Sequence, residues 1–179
     1  MPTSARLSNG VGSDVGVGPY GGARQIRIFR IEVSSVKLLI LNGPNLNLLG
    51  VREPEIYGNR TYRDLCKLIE DHAQEIGVEI EIRQTNHEGV LVDWVQEARG
   101  RFDGIVLNPA AYTHSSVALL DAVLAVGVPT VEVHLSDPDL REPFRRISYV
   151  RSACVACVKG HGPEGYLEAM DLLKLKMES

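Results

Sequence analysis

From Val36 onward, short apolar runs alternate with segments of helical periodicity, and this alternation narrows the folds that the chain can adopt. Strands that alternate with helices pair in parallel, and a parallel sheet needs helices on both of its faces. The pattern therefore predicts an α/β fold built on a five-stranded parallel sheet. The strands are predicted at residues 36–41, 78–83, 104–107, 129–134 and 153–158.

Four predicted helices lie between these strands or follow the last one. The first opens on Thr61, and Asp64 three residues later can complete a capping box. The second carries Leu91 and Val95 on one face. Right-handed crossovers between the strands then favour a doubly wound, flavodoxin-like sandwich. The predicted helices cover residues 61–76, 88–99, 115–126 and 164–177.

Residues 1–35 differ in composition from the rest of the chain. They hold six of the 17 glycines and only two acidic residues, and they show no sustained periodicity. This composition is typical of a disordered tail, and the alternative is translated upstream sequence ahead of a start near Val36. We therefore expect a Gly-rich N-terminal extension at 1–35 and one domain at 36–179.

The charge and hydropathy of the chain exclude some classes of partner. A formal net charge of -4 gives no overall basic surface of the kind that binds nucleic-acid phosphates. No apolar stretch reaches the roughly 20 residues of a membrane-spanning helix, and the N-terminus lacks a signal-peptide core. We therefore expect a cytoplasmic protein with no nucleic-acid partner and no membrane partner.

The three cysteines are an odd number and do not form the disulfide framework of a small secreted domain. Cys154 and Cys157 form a CxxC pair inside the fifth predicted strand. Residues three apart in a strand point to opposite faces, so this placement predicts packing rather than a redox or zinc site.

Polar residues cluster directly after three of the predicted strands, at residues 42–58, 108–116 and 132–145. In doubly wound sheets, ligands bind at this edge. The first segment is long for a structureless connection and could form a lid that brings Arg52 and Tyr57 over a ligand. The alternative is that both side chains are solvated surface residues.

His114 and His134 differ from the other histidines because each follows a strand end among hydrogen-bonding residues. Glu132 and His134 share one face of a strand, so the carboxylate can orient the ring and support its charge. Arg141 and Arg145 would lie on one side of a helix, if the segment is helical, and suit an anionic or polyhydroxylated ligand. Surface salt bridges are the alternative for these two arginines. Of the remaining histidines, His72 and His87 are predicted to be surface residues, and His161 is assigned no role.

Several segments together resemble the signature of type II 3-dehydroquinate dehydratases, also called type II dehydroquinases. They follow one another in the family's order between about Val36 and Leu173. The matching segments are LNGPNLNLLG at 41–50, REPEIYG at 52–58, NPAAYTHSS at 108–116, EVHLS at 132–136 and REPFR at 141–145.

The resemblance implies a hydro-lyase of the shikimate pathway that uses no metal and no organic cofactor. Water would leave 3-dehydroquinate by trans elimination through an enolate, giving 3-dehydroshikimate. Tyr57 would be the base. A tyrosine with its ordinary pKa of about 10 is mostly protonated at neutral pH, so Arg52 and Arg141 would favour its anion. Asn45 would stabilise the enolate through an ordered water, and His134 would be the acid.

The same resemblance implies further substrate-binding residues and a homo-oligomer. Family members assemble as dodecamers built from four trimers, and Asp121 would reach a neighbouring active site across the trimer interface.

Within one active site, Glu132 would keep His134 protonated. The substrate carboxylate would be bound by Asn108 and the backbone amides of Leu135 and Ser136, and the ring hydroxyls by His114 and Arg145.

Two alternatives stand beside this assignment: a domain of the same fold with another function, and a Schiff-base enzyme for the same reaction. A flavodoxin-like ligand-binding or signalling domain would perform no chemistry. A receiver domain needs clustered aspartates after the first strand, and a flavin binder needs a Ser/Thr-rich phosphate loop, whereas this chain has Asn42 and Asn45 there. A Schiff-base dehydratase needs a neutral lysine at a strand end, and Lys159 is the lysine in such a place.

Overall fold

The computed structural model describes residues 35–51 and 60–179, and within these ranges it shows a five-stranded, all-parallel sheet. Its strand order is β2-β1-β3-β4-β5, which is the flavodoxin-like order. The predicted α/β architecture is therefore confirmed. The strands are β1 Lys37–Asn42, β2 Glu79–Gln84, β3 Gly104–Asn108, β4 Thr130–His134 and β5 Ala156–Lys159.

Two of the helices in the described ranges begin at capping side chains. Thr61 and Asp64 form the predicted capping box, in which the Thr61 side chain accepts from the Asp64 N–H at 3.2 Å and Asp64 accepts from the Thr61 N–H at 2.9 Å. Ser116 caps the third helix by accepting from the Leu119 N–H at 2.9 Å. The helices are α1 Tyr62–Ile76, α2 Glu88–Glu97, α3 Val117–Val126 and α4 Glu164–Glu178.

Both faces of the sheet are buried, as a parallel sheet requires. On β1, Leu38 and Ile40 pack against α1 and α4, whereas Leu39 and Leu41 point the other way and pack against α2 and α3. All four side chains have no solvent exposure. The near-continuous apolar sequence of β1 therefore reflects a central strand that is covered on both sides.

The fifth strand differs from its prediction. It begins at Ala156 rather than at residue 153, because Val150–Ala153 forms a 3-10 turn that leads into the sheet. Cys154 therefore lies ahead of the strand and only Cys157 lies within it. Both thiols are free and partly buried. The premise that the two cysteines share a strand was wrong.

The chain leaves β1 toward β2 on one side of the sheet and later returns to β3 on the other side of β1. The loops that follow β1 and β3 therefore diverge, and a crevice opens between them at the carboxyl edge. The predicted extension at 1–35 lies outside the described residues, apart from Ser35. No helix in the described ranges is long and apolar enough to span a bilayer.

Candidate active site

A cleft opens at the carboxyl edge of the sheet, between the segments that follow β1, β3 and β4. It encloses about 690 Å³, including its open mouth. Apolar atoms of Leu46, Leu49 and Pro138 form part of its wall. The structure brings eight of the predicted site residues to this cleft: Asn45, Asn108, His114, His134, Leu135, Ser136, Arg141 and Arg145.

Backbone geometry shapes the loop after β1. The Gly43 N–H donates to the Asn108 carbonyl oxygen at 2.8 Å, and a Cβ at Gly43 would lie 2.5 Å from the Pro109 carbonyl oxygen. Only glycine therefore allows the backbone at position 43 to lie this close to the Pro109 carbonyl oxygen. Asn45 has a left-handed backbone with φ 67°, and its N–H donates to Asn86 Oδ1 at 2.9 Å. These contacts hold Asn45 at the cleft wall.

A buried hydrogen-bond chain supports the loop after β3. Asn108 Oδ1 accepts from the Ala110 N–H at 3.1 Å, and Asn108 Nδ2 donates to Tyr166 Oη at 2.8 Å. Tyr166 Oη donates in turn to Asn42 Oδ1 at 2.6 Å. Tyr166 is fully buried on α4 and was not among the predicted site residues. A tyrosine on the apolar face of the last helix was the only local signal for it.

The predicted pairing of Glu132 with His134 is present on β4. Both side chains are buried on one face of the strand, and His134 Nε2 lies 2.9 Å from Glu132 Oε1. A carboxylate can only accept, so Nε2 carries the proton of the neutral ring. The Nδ1 atom is then the ring nitrogen that can exchange a proton with a ligand.

Two hydroxyl groups fix the carboxylate of Glu132. Thr113 Oγ1 donates a short hydrogen bond to Oε1, and Ser148 Oγ lies 2.9 Å from the same oxygen. Burial alone would raise the pKa of Glu132, but hydrogen bonds from His134, Thr113 and Ser148 outweigh it and lower this pKa to about 2. Glu132 is therefore an anion throughout the physiological range. Thr113 and Ser148 were not predicted as partners of Glu132.

The two arginines after β4 reach the cleft without sharing a helix. Pro138–Leu140 and Pro143–Arg145 are separate 3-10 turns. The prediction that Arg141 and Arg145 share one side of a helix required a helical segment, so it does not apply. Both guanidinium groups approach Glu142, from Arg141 Nε at 3.6 Å and from Arg145 Nε at 3.0 Å. This shared carboxylate holds two cations at the cleft mouth.

His114 presents a second imidazole to the cleft. Its Nδ1 lies 2.6 Å from the carbonyl oxygen of Ile147, which can only accept. Nδ1 therefore carries the proton of the neutral ring, and Nε2 can accept from a ligand hydroxyl. This arrangement ties the turn after β3 to the segment that leads into β5.

The remaining predicted site residues lie elsewhere. Glu132 sits behind His134 and does not line the cleft. Asp121 is exposed on α3, away from the cleft of its own chain. Arg52 and Tyr57 lie outside the described residues. Among the residues that are described, no three His, Cys, Asp or Glu side chains gather as a metal site would require.

Lys159, the candidate for a Schiff base, is committed to other contacts. Its Nζ pairs with Asp137 at 3.0 Å and makes a shorter contact with Asp139. The hydrogen bond to Asp139 raises the pKa of Lys159, which opposes the neutral amine that imine formation needs. Lys159 is also absent from the cleft wall.

The chain is similar to known proteins of one family. The model of the family "Dehydroquinase class II" matches residues 36–174. The chain is 48% identical over 139 residues to a 3-dehydroquinate dehydratase of Clostridium acetobutylicum, covering 78% of this chain and 96% of that one. It is 54% identical over 133 residues to 3-dehydroquinate dehydratase 2 of Pseudomonas putida, covering 74% and 89%.

A solved structure agrees with these sequence matches. The type II dehydroquinase from Butyrivibrio crossotus superposes with a TM-score of 0.77 at 44% sequence identity, covering 78% of this chain and 98% of that one. The flavodoxin-like alternative without chemistry is therefore set aside in favour of an enzyme. The chain belongs to the class II dehydroquinase family.

Proposed function

We propose that this enzyme is a 3-dehydroquinate dehydratase that forms 3-dehydroshikimate and water in the shikimate pathway. The observation that carries the proposal is the buried Glu132–His134 pair, in which His134 lines the cleft together with Asn108 and Arg145. Relatives at about 50% identity carry the same activity in their names. The acidic chain has a local cationic cleft that suits an anionic, hydroxylated substrate.

The proposed chemistry is a trans elimination through an enolate. Tyr57, as the phenolate, takes a proton from the carbon next to the ketone, and Arg52 and Arg141 favour the phenolate. Asn45 stabilises the enolate oxygen through a water. His134 then gives a proton to the departing hydroxyl, which leaves as water. The positions of Asn45, Arg141 and His134 around one cleft support this assignment, while Tyr57 and Arg52 rest on the sequence resemblance.

Substrate orientation is assigned to the rest of the cleft wall. The backbone amides of Leu135 and Ser136, together with Asn108, bind the carboxylate in this proposal. His114 and Arg145 bind the ring hydroxyls. The accepting Nε2 of His114 and the fixed guanidinium of Arg145 support these roles. No metal and no organic cofactor enters the proposed chemistry.

One assay tests the activity. Purified protein is treated with a chelator, 3-dehydroquinate is added, and the absorbance of the conjugated enone product is followed. We expect turnover that the chelator does not affect, and no covalent adduct when borohydride is added with substrate. A flat absorbance trace from folded protein would overturn the proposed activity. A borohydride adduct would instead indicate a Schiff-base mechanism.

The assembly that we propose is a dodecamer of four trimers in the cytoplasm. Its support is an exposed face of α3, where Val117 and Leu124 are 52% and 60% exposed on either side of Asp121. Exposed apolar residues beside a carboxylate suit a contact with a second copy. Sedimentation should show a large oligomer that Asp121→Ala weakens. An active wild-type monomer would contradict this assembly.

The domain that performs these functions is proposed to be residues 36–179. Every matched motif lies within it, and the family model begins at residue 36. A chain that starts at Val36 should therefore fold, assemble and turn over like the full-length protein. Marked loss of activity on this truncation would assign a role to residues 1–35.

A further inference from the structure

A cation lies behind the proposed acid pair, on the side away from the cleft. Arg151 Nε is 3.5 Å from Glu132 Oε2, while His134 approaches the other carboxylate oxygen. This Nε is buried and has no hydrogen-bond partner among the described residues. Arg151 does not line the cleft. Its interaction with Glu132 is therefore one of charge, outside the cleft wall.

Local structure holds Arg151 in this position. It belongs to the 3-10 turn Val150–Ala153, and its backbone N–H donates to Ser148 Oγ at 3.0 Å. The Ser148 hydroxyl also lies 2.9 Å from Glu132 Oε1. The same serine therefore fixes the carboxylate and the backbone of the arginine that faces it.

Arg151 also continues a row of alternating charges that begins at the cleft. Beyond Glu132, Arg151 Nη2 lies 3.8 Å from Asp139 Oδ1. Asp139 contacts Lys159, and Lys159 pairs with Asp137 at 3.0 Å. Asp137 and Asp139 belong to the segment after β4 that also carries the cleft residue Pro138.

On this side of the acid pair, Arg151 is the charged neighbour of Glu132, because the other titratable groups that face Glu132 here are neutral. Cys154 and Cys157 face Glu132, and burial raises their pKa values to about 12 and about 11, so both thiols are neutral at physiological pH. His134 shares the cleft with His114, Arg141 and Arg145, and Lys159 is its register partner on β5.

We propose that Arg151 is a positioning residue that sets, through its charge on Glu132, how tightly His134 holds its proton. The inference rests on the proposed function of His134 as the acid. At the His134 ring, the positive charge of Arg151 partly offsets the negative charge of Glu132. Arg151 is permanently charged, so it weakens the field that Glu132 exerts on the imidazole. The proton on His134 is then easier to transfer to a leaving hydroxyl.

The sign of the effect follows from the charges. Loss of the Arg151 charge leaves Glu132 less neutralised, so the His134 ring keeps its proton to higher pH. Because the acid must be protonated, the alkaline limb of the kcat profile moves in the same direction. Because Arg151 is about one-third exposed, solvent screens its charge, and the alkaline limb should move by roughly half a pH unit.

The test compares Arg151→Met, Arg151→Gln and Arg151→Lys with wild type. The ¹⁵N shifts of the His134 ring are followed from about pH 5 to pH 9, and kcat is measured over the same range. Both neutral variants should raise the His134 midpoint and move the alkaline limb upward, whereas Arg151→Lys should stay near wild type. Arg101→Met is the matched control, since it removes an exposed arginine that pairs with Glu97 far from the cleft.

Several outcomes would overturn the proposal. Neutral variants with a wild-type His134 midpoint would show that Arg151 has no electrostatic role. An equal shift in Arg151→Lys would show that the effect comes from the shape of the guanidinium group and not from its charge. If the wild-type protein does not dehydrate 3-dehydroquinate, the proposed function fails, but the ring titration still decides whether Arg151 controls the proton on His134.

Discussion

Tyr166 on α4 donates a 2.6 Å hydrogen bond to Asn42 at the end of β1, across 124 positions of sequence. The same hydroxyl accepts from Asn108 at the end of β3. Burial raises the pKa of Tyr166, so the phenol stays protonated and can donate. The buried Tyr166 hydroxyl therefore joins the ends of β1 and β3. The loops that follow these two strands form opposite walls of the cleft.

Tyr166→Phe should destabilise the protein and loosen the cleft. The change removes the hydroxyl and leaves two buried amide groups without their partner, which costs roughly 1–3 kcal/mol. Substrate binding should weaken because Asn108 loses a support. Urea unfolding and KM measure the two effects. Tyr149→Phe, at a partly exposed tyrosine, is the control and should stay within about 0.5 kcal/mol of wild type. A wild-type free energy of unfolding in Tyr166→Phe would contradict the structural role of this hydroxyl.

Gly43→Ala should lower both stability and turnover. The new Cβ would lie 2.5 Å from the Pro109 carbonyl oxygen, so the loops after β1 and β3 must separate, at a cost of roughly 1–3 kcal/mol. Gly89→Ala is the matched control, because a Cβ at this helical position meets nothing within 4 Å. It should be neutral or stabilise by up to about 1 kcal/mol. Thermal unfolding and kcat distinguish the pair, and equal behaviour of the two variants would refute the close approach.

Glu132 should make the free energy of unfolding depend on acid pH. Its pKa is lowered to about 2 in the folded protein, so its contribution is fully present above the ordinary value of 4.5 and is lost as the pH falls toward 2. The full contribution is on the order of 3 kcal/mol. Urea unfolding between about pH 6 and pH 3 should show a steeper loss for wild type than for Glu132→Gln. Glu75→Gln, at an exposed carboxylate, should follow wild type.

The proposed base and acid should respond differently to substitution. Tyr57→Phe keeps the ring and removes the base, so kcat should fall by about 10² to 10⁴-fold while binding survives. Arg52→Ala should move the acidic limb of the kcat profile to higher pH, with partial recovery under alkaline conditions. His134→Ala should lose rate without that recovery. These expectations rest on the sequence resemblance for Tyr57 and Arg52.

Near wild-type turnover in Tyr57→Phe, or an unmoved acidic limb in Arg52→Ala, would remove the cation-activated tyrosinate from the mechanism. Either result would leave the dehydratase activity itself intact. Circular dichroism of each variant serves as the folding control.

The sequence by itself determined the features that depend on neighbours along the chain. Alternating periodicities located the strands and helices, and the spacing of Thr61 and Asp64 predicted a capping box that the structure contains. The pairing of Glu132 with His134 was also predictable, because residues two apart in any strand share a face. The start of β5 was misplaced, because the apolar residues of the Val150–Ala153 turn resemble strand residues in composition.

The tertiary structure decided which distant groups meet at the site. Thr113 and Ser148 reach Glu132 across 19 and 16 positions, and Tyr166 reaches Asn42 across 124. Hydrophobic periodicity reports which face of an element is buried, but it carries no information about which hydroxyl or guanidinium of another element packs there. Those contacts, and the charge of Arg151 behind Glu132, arise only when the sheet order places the strand ends side by side.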